Sequence, residues 1–350
     1  MGRPVSIKGR GAADNPQGRF ETLARSHEPG AESPSRPQTV VTLQQARSII
    51  ARNDSPDLPF TRSINPYQGC EHGCIYCYAR PSHAYLGLSP GLEFETRLFA
   101  KENAADLLRR ELSLPGYRCE LIALGANTDP YQPIEREHRI TRSILEVLWE
   151  FRNPVGIVTK GSLIERDLDL LEPMAREGLA QVFVSIGSLD GEIARTLEPR
   201  AAAPYRRVET VRRLSERGVP CGTLVAPIIP FLNDKDMEAV LEAVSEAGAR
   251  MAGYTLLRLP WEVKDLFKDW LERHYPLKAK HVMARIRDMR GGRDNDPRFG
   301  SRMKGEGQFA ELLAKRFEIA CKRLGLNAGG RKRLDTTKFR RPDPSQGKLF

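Results

Sequence analysis

Long apolar segments are absent from this chain of 350 residues. A transmembrane helix needs a run of about 18 or more apolar residues, and no such run occurs. The first residues, Met1 to Pro4, are not followed by the apolar stretch of a signal peptide. We therefore expect no membrane partner.

Cysteine is also scarce, with six in the whole chain. Three of them lie in the segment 70–77, which is not the layout of a disulfide framework. We interpret Cys119, Cys221 and Cys321 as structural, the first two at the starts of strands and the third in a helix. Free thiols of this kind indicate the reducing cytosol, so a cytoplasmic location is expected.

The segment 70–77 carries its cysteines at C-x3-C-x2-C spacing, as Cys70, Cys74 and Cys77. Thiolates are the usual ligands of a [4Fe–4S] cluster, and three of them would leave one iron open to a small molecule. The alternative is a structural zinc ion with His72 or His83 as the fourth ligand. Zinc sites are usually built from two paired ligand clusters, and no second C-x2-C or H-x3-H pair occurs.

The net charge of +10 is unevenly distributed. Residues 278–304 contain nine Lys and Arg against three Asp, and residues 331–350 contain seven against two. Residues 1–55 contain eight against five acidic residues. Clustered positive charge suits a polyanion such as nucleic acid, but basic segments can also act only on solubility.

Short apolar runs alternate with amphipathic stretches through the middle of the chain. Strands are predicted at residues 58–64, 121–126, 155–159, 180–186, 219–226 and 251–257. Helices are predicted at residues 141–151, 163–177, 205–217 and 234–247. This repetition predicts an α/β fold of six β-α units with parallel strands and helical crossovers.

Polar residues follow several of these strands, where catalytic loops converge in barrels of this kind. The segment from Asn127 to Glu135 follows the second strand, and Lys160 follows the third. Asp129 precedes a proline and could be only a turn residue, while Lys160 could be only a solvated loop lysine. A charge directly after a buried strand nevertheless favours a functional role.

The cysteine spacing, followed by β-α units, resembles the radical S-adenosylmethionine (SAM) enzymes. The T-D-P-Y-Q-P-x-E string at 128–135 and the C-I-Y-C-Y string at 74–78 resemble the spore-photoproduct-lyase-like branch of that family. The resemblance spans about residues 59–259 and implies an incomplete, TIM-like (β/α)6 barrel. It also implies an enzyme that uses a [4Fe–4S] cluster to cleave SAM to a 5′-deoxyadenosyl radical, which abstracts hydrogen from a substrate.

The chain then divides into four predicted parts. Residues 1–55 form a flexible N-terminal extension, and residues 56–260 form the partial barrel. Residues 261–330 form a C-terminal helical region, and residues 331–350 form a flexible basic tail.

The resemblance assigns roles residue by residue. The metal ligands are Cys70, Cys74 and Cys77, and the cofactor-binding residues are Tyr76, Tyr78, Thr128, Asp129, Lys160 and Ser185. Both tyrosines would pack against the cluster or SAM, Thr128 and Asp129 would contact the SAM amino group, and Lys160 and Ser185 would reach its carboxylate or ribose. Ser188 and Arg200 are weaker candidates, since Glu198-Pro199-Arg200 could be only a loop before a helix.

One feature of the branch is missing. Its light-independent DNA repair enzyme has a hydrogen-donating cysteine at the end of the second strand, and Ala126 occupies that position here. Alanine cannot donate a hydrogen atom, so the repair reaction itself is not implied.

Three functions remain open at this point. The protein could be a radical SAM enzyme acting on nucleic acid, one acting on a peptide or small metabolite, or a cluster-bearing nucleic-acid-binding or adaptor protein without SAM cleavage. The enzyme readings imply a one-electron reductant of the flavodoxin or ferredoxin type. The ending Gln346-Gly347-Lys348-Leu349-Phe350 resembles peptides that dock on the bacterial sliding clamp, which makes the clamp a further candidate partner.

Overall fold

The structure is a computed structural model that describes residues 6–21, 37–330 and 333–342. Within these residues there are ten strands. They are β1 (Val40–Gln44), β2 (Ile50–Arg52), β3 (Arg62–Ile64), β4 (Tyr67–Gln68), β5 (Arg97–Lys101), β6 (Ile122–Leu124), β7 (Val155–Thr159), β8 (Ala180–Ser185), β9 (Cys221–Ile228) and β10 (Met251–Leu256).

The same residues contain twelve α-helices. They are α1 (Glu93–Thr96), α2 (Ala104–Ser113), α3 (Glu135–His138), α4 (Ile140–Glu150), α5 (Leu168–Arg176), α6 (Gly191–Leu197), α7 (Pro204–Glu216), α8 (Met237–Glu246), α9 (Val263–His274), α10 (Pro276–Asp288), α11 (Ser301–Lys304) and α12 (Gln308–Arg323). Short 3-10 turns cover Arg80–Leu86, Ser162–Asp167 and Asp234–Asp236.

The main sheet has seven strands in the order β10-β9-β8-β7-β6-β3-β2. All neighbours from β3 to β10 are parallel, and β2 pairs antiparallel with β3. Their side chains, with those of the covering helices, form one large apolar core. Strands β10 and β2 lie at opposite ends of this order, so the sheet does not close into a complete barrel. The α/β, six-unit architecture expected from the sequence is confirmed.

An observed strand or helix overlaps each range predicted from the sequence, although the end residues differ. Strand β7 matches its predicted residues 155–159, and α4 and α7 are each displaced by one residue at both ends. The first strand is shorter than predicted, with three residues instead of seven. Residues 58–61 form a bend because Asn53 Nδ2 donates to Phe60 O at 2.6 Å and closes a turn there.

Secondary structure begins inside the segment expected to be a flexible extension. Strand β1 pairs parallel with β5, and β4 pairs antiparallel with β5, giving a second sheet in the order β1-β5-β4. The burial of β1 is only partial, with no fully buried residue. A strand of this kind has a weak local signal, because its stability comes from pairing with residues about 57 positions away.

Part of the predicted basic tail packs on the barrel. The Phe339 ring lies 5.3 Å from the Tyr117 ring, and Arg340 N donates to Phe151 O at 3.0 Å. Lys338 Nζ and Arg341 Nη2 donate to carbonyls at helix C-termini, those of Glu177 at 2.9 Å and Leu114 at 2.8 Å. These basic residues complement the negative ends of two helices. The clamp-like segment 346–350 lies outside the described residues.

The C-terminal helices complete the packing. Helix α12 covers β10, with the Phe317 ring 4.8 Å from the Tyr254 ring, and Arg316 pairs with Glu238 of α8 at 2.7 Å.

Within the described chain, none of the helices has the combined length and apolar character that a membrane span would require.

Gly125 ends β6 and opens the loop that carries Asp129. Its φ is +86°, and a Cβ atom there would lie 2.1 Å from the backbone oxygen of Val158. We expect Gly125→Ala to lower the free energy of unfolding by about 2–4 kcal/mol, because it adds left-handed strain to a backbone clash. Gly116→Ala is the control, since a Cβ atom at that position would have no other atom within 4 Å. Equal urea midpoints for the two variants would contradict this prediction.

Candidate active site at the cysteine loop

The three predicted cluster ligands lie on a compact loop beyond β3 and β4, at the C-terminal edge of the sheet. Cys70 and Cys74 are each 7% exposed, and Cys77 is half-buried. Gly73 between them has a φ of +67°, and a Cβ atom there would lie 2.8 Å from Glu95 Oε2. The loop is therefore held tightly against α1 and is not loosened by its glycines.

The fully buried side chain of Arg80 supports the cysteine loop. Arg80 Nε donates to Cys74 O at 2.9 Å, and Nη2 donates to Gly73 O at 3.2 Å. Nη1 donates to Gly91 O at 2.9 Å. The charge is balanced by Glu95, whose Oε1 lies 2.5 Å from Arg80 Nη2 with both side chains 0% exposed. This pair fixes the backbone that presents Cys74.

The same glutamate anchors the N-terminal segment 6–21, which we call the strap. Gly11 N and Ala12 N donate to the Glu95 carboxylate at 3.0 and 2.9 Å, and Arg10 Nη1 donates to Glu95 O at 2.8 Å. At the other end of the strap, Arg19 Nε pairs with Glu262 Oε1 at 2.8 Å. The strap thus runs from the cysteine loop, beyond β3, to the segment after β10.

The opposite side of the loop rests on the segment between α6 and α7. Tyr76 Oη donates to Glu198 Oε1, and Arg207, which is 1% exposed, pairs with the other oxygen of Glu198. Arg200 N donates to His72 O at 3.2 Å. The Glu198-Pro199-Arg200 string is therefore part of the support of the site and not a simple connection.

The thiols are close enough to influence one another. Burial raises the pKa of Cys70, and the neighbouring charges of Asp129, Cys74 and Cys77 raise it further. Burial likewise raises the pKa of Cys74 to about 12. Two buried thiols and a half-buried one grouped in this way fit a soft metal cluster, because a bound metal would replace the protons of the buried thiols, which are costly to remove otherwise.

A single metal ion fits less well. Zinc needs four ligands within about 2.0–2.3 Å of one point, whereas a cubic cluster takes one thiolate per iron. In the described ranges, no group of three or more His, Cys, Asp or Glu side chains is arranged so that it could hold a metal ion. His83 Nε2 bonds to Arg97 O at 2.9 Å, and His72 Nδ1 lies 3.3 Å from Asp129 Oδ2. His72, one of the two candidate zinc ligands, is thus engaged with Asp129.

Asp129 is buried and fully engaged within the protein. Its carboxylate accepts from Thr159 Oγ1 at 2.6 Å, from Lys160 N at 2.7 Å and from Tyr131 N at 2.9 Å. It also faces His72. Burial alone would raise the pKa of Asp129, but His72 and these donors hold it well below its usual range. A carboxylate has about four acceptor positions, and here each has a partner.

Lys160 differs, since its ammonium group makes no ion pair with any described residue. Nζ lies 5.8 Å from the centroid of the Tyr76 ring. Burial would lower the pKa of Lys160, but the charges of Cys74, Glu198 and Asp129 outweigh it and raise the pKa. Lys160 therefore offers a positive charge beside the cysteine loop with its donors free for a ligand.

The remaining predicted residues lie around the same edge. Thr128 Oγ1 donates to Tyr67 O at 2.9 Å and is 2% exposed, and Ser185 Oγ donates to Ala226 O at 3.2 Å. Tyr78 Oη donates to the backbone oxygen of Ala126, beyond the end of β6. These hydroxyl groups hold the loops together around the site.

The other three cysteines lie elsewhere and have their own partners. Cys119 Sγ lies 3.4 Å from Asn153 Oδ1, and Cys221 Sγ lies 3.6 Å from Val211 O at the start of β9. Cys321 is buried in α12. Their structural role stays a prediction.

Several residues that build the site were not found from the sequence. They are Arg10, Arg80, Glu95 and Arg207, together with Glu198, which accepts the hydrogen bond of the Tyr76 hydroxyl. Arg80 gave the best available signal, since it lies three residues after Cys77 in an otherwise apolar segment. The others become visible only when distant segments meet.

Comparison with known proteins identifies the class. A family model described as the Radical SAM superfamily matches residues 64–244. This is more than half of the chain, and the chain therefore belongs to the Radical SAM superfamily. It is an enzyme of that superfamily, and membership implies a [4Fe–4S] cluster and SAM as cofactors.

Similar sequences and folds are known from other organisms. The chain is 35% identical over 254 residues to the uncharacterized protein Rv2578c of Mycobacterium tuberculosis, covering 71% of this chain and 74% of that protein. It is 28% identical over 213 residues to the uncharacterized protein MJ0683 of Methanocaldococcus jannaschii, covering 61% and 76%. A structure of spore photoproduct lyase complexed with dinucleoside spore photoproduct has a TM-score of 0.56 at 16% identity, covering 82% of this chain and 80% of the lyase. This likeness confirms the predicted fold.

The Arg80–Glu95 pair gives a direct test of how the loop is supported. We expect Glu95→Gln to lower the free energy of unfolding by about 3–5 kcal/mol, because it leaves a buried guanidinium without its counter-charge. Glu150→Gln removes a carboxylate from the partly exposed pair with Arg109 and should cost about 1 kcal/mol or less. Urea unfolding of both variants measures the difference, and similar losses would show that the buried pair is not a special support.

Proposed function

We propose that the protein is a radical SAM enzyme whose [4Fe–4S] cluster is held by Cys70, Cys74 and Cys77. The observation that carries the proposal is the grouping of two buried thiols and one half-buried thiol beside Lys160, whose ammonium is unpaired among the described residues. When bound, the cluster and SAM supply an electron and a 5′-deoxyadenosyl radical that abstracts hydrogen from the substrate. The chain itself positions these groups and excludes water.

Lys160 is proposed to bind the SAM carboxylate. Its free donors and its place at the end of β7 support this role. Asp129 is proposed to act through its neighbours, because its carboxylate fixes Lys160 N, Thr159 and the turn at Tyr131. The contact of Asp129 with the SAM amino group that the family resemblance implies would require one of these bonds to give way. Tyr76 and Ser185 complete the surroundings of the cofactor.

Hydrogen return cannot involve a thiol at position 126. The hydrogen atom that resolves the substrate radical would have to come from another donor, either a different side chain or 5′-deoxyadenosine, and the branch's repair chemistry is not proposed. A reductant of the flavodoxin or ferredoxin type would supply the electron. The expected cellular location is the cytoplasm, where such reductants and free thiols occur.

The cluster assignment is tested by replacing each cysteine with alanine. After anaerobic reconstitution, Cys70→Ala, Cys74→Ala and Cys77→Ala should lose the visible absorbance of the cluster and the release of methionine and 5′-deoxyadenosine. Cys119→Ala, Cys221→Ala and Cys321→Ala are matched controls and should keep both. A control variant that loses the cluster while Cys74→Ala retains it would overturn the assignment. Cluster formation without any SAM cleavage would favour the binding or adaptor function instead.

The roles of Lys160 and Asp129 are separable. Lys160→Ala should weaken SAM binding about 10- to 100-fold, the equivalent of one lost charge-assisted hydrogen bond of about 1.5–3 kcal/mol, with little change in stability. Asp129→Ala should weaken SAM binding and also lower the melting temperature, because four internal contacts are lost. Calorimetric titration of the reconstituted variants measures both, and unchanged SAM affinity in Lys160→Ala would contradict the placement.

The substrate is proposed to be nucleic acid, with a peptide or small metabolite as the second candidate. The net positive charge supports this, although part of it is used internally: Lys338 and Arg341 cap helices, and Arg298 pairs with Asp296 at 3.0 Å. Binding to DNA or RNA that weakens steeply with salt would support the first candidate. Recruitment by the sliding clamp through Gln346–Phe350 stays a prediction, since that segment lies outside the described residues.

A further inference from the structure

Arg258 lies just beyond the last strand of the sheet, at the C-terminal edge where the cysteine loop also lies. The backbone around it is fixed on both sides. Leu257 N donates to Ile228 O at 3.0 Å, and Leu257 O accepts from Arg290 Nη2 at 2.9 Å. The backbone position of Arg258 is therefore determined by β9, β10 and the segment after α10.

The guanidinium of Arg258 makes no ion pair in the described part of the chain. Its one hydrogen-bond contact there is from Nη1 to Met303 Sδ at 3.8 Å, and a thioether is a weak acceptor. Nε is buried and has no partner. Burial lowers the pKa of Arg258, and the neighbouring charge of Arg302 lowers it further. Desolvating a cation without a partner is costly, so this arrangement requires a reason.

The surroundings add positive charge and do not remove it. Arg302 pairs with Asp57, which also accepts from Gly300 N at 2.7 Å, so that carboxylate is already engaged. Arg290 is 2% exposed and donates only to the carbonyls of residues 257, 301 and 302. Of the three arginines 258, 290 and 302, only Arg302 therefore forms an ion pair in the described part of the chain, and its partner is Asp57.

The next carboxylates along the chain are also occupied. Asp296 Oδ2 lies 3.0 Å from Arg298 Nη2, and Glu306 Oε2 lies 3.2 Å from the same nitrogen. Neither makes a contact with Arg258. The excess charge of this cluster is thus centred on Arg258.

Arg258 is also connected to the candidate active site. Its Cζ lies 5.5 Å from the centroid of the Tyr78 ring, which follows Cys77 and is 48% exposed. Tyr78 Oη in turn donates to Ala126 O at the end of β6. The Tyr78 side chain therefore links Arg258 to the C-terminal end of β6, in the part of the C-terminal edge of the sheet that we call the mouth of the partial barrel.

We propose that Arg258 binds an anionic oxygen group, a carboxylate or a phosphate, of a molecule that occupies this mouth. A guanidinium presents paired donors that match such groups in a bidentate manner. The group would come either from SAM, whose carboxylate Arg258 would then share with Lys160, or from a nucleic-acid substrate, through a phosphate; the charges of Arg258 and Lys160 both act on Tyr78. The inference rests on the proposed function, because the ligand shares the site with the cysteine loop, but it concerns binding and not SAM cleavage.

The test compares Arg258→Gln and Arg258→Lys with the wild-type protein after anaerobic reconstitution. One arm measures SAM affinity by calorimetry, and the other measures affinity for a fluorescent single-stranded oligodeoxynucleotide at fixed salt. We expect Arg258→Gln to lose about 10- to 100-fold in one arm, with a smaller loss for Arg258→Lys, which keeps the charge but not the paired donors. A loss with SAM assigns the carboxylate, and a loss with the oligonucleotide assigns the phosphate.

Arg293→Gln is the matched control, because it removes one exposed charge from the same basic region. An equal loss in this control, unchanged affinity of Arg258→Gln in both arms, or a wild-type protein that binds neither ligand would overturn the proposal. Failure of SAM cleavage alone would count against the proposed function and leave this inference standing.

The melting temperature of Arg258→Met provides a second readout without ligand. Arg258 is half-buried, so replacing this unpaired charge with an apolar side chain should leave the melting temperature unchanged or raise it. A lower melting temperature together with unchanged ligand affinity would show that Arg258 is structural and would overturn the proposal.

Discussion

The ion pair between Arg80 and Glu95 connects the three segments on which the site depends. These are the cysteine loop, the strap and helix α1, which carries Glu95. Its arginine holds the backbone of the cysteine loop, and its glutamate holds the loop and the strap together through Gly11 N and Ala12 N. Both side chains are completely buried, so the pair is stable only while every donor and acceptor around it is satisfied. The cysteines are thus positioned by a network that includes residues more than 80 positions apart.

The barrel itself could be predicted from the sequence because each strand from β6 to β10 is a short apolar run between amphipathic helices. Strand β7 has the expected residues, and β8, β9 and β10 differ from theirs by only one or two. The cysteine loop was found for a similar reason, since ligand spacing is a local property. Strand β1 and the strap were not found, because their residues have little apolar periodicity and are held by contacts with distant segments.

The burial and the partners of the charged residues around the site could not be predicted either, because they depend on which distant segments meet in the fold. A charged residue such as Arg207 in the middle of a helix predicts a solvated face, yet here it is buried against Glu198 and the carbonyl of Ser185. Lys160 and Asp129 were correctly placed near one another by the barrel rule, but their different states depend on which neighbours satisfy them. Asp129 is saturated and Lys160 is not, and only the folded arrangement distinguishes them.

The strap has a consequence for the order in which the molecule is completed. A chain leaves the ribosome from its N-terminus, so the strap is among the first segments to emerge. Its anchor for Arg19, however, is Glu262, and Trp261 lies 4.1 Å below the same guanidinium. The strap can therefore not finish its contacts until some 240 further residues have been made. During synthesis the strap can join Glu95 long before its other end can reach Glu262, so its two anchors form at different times.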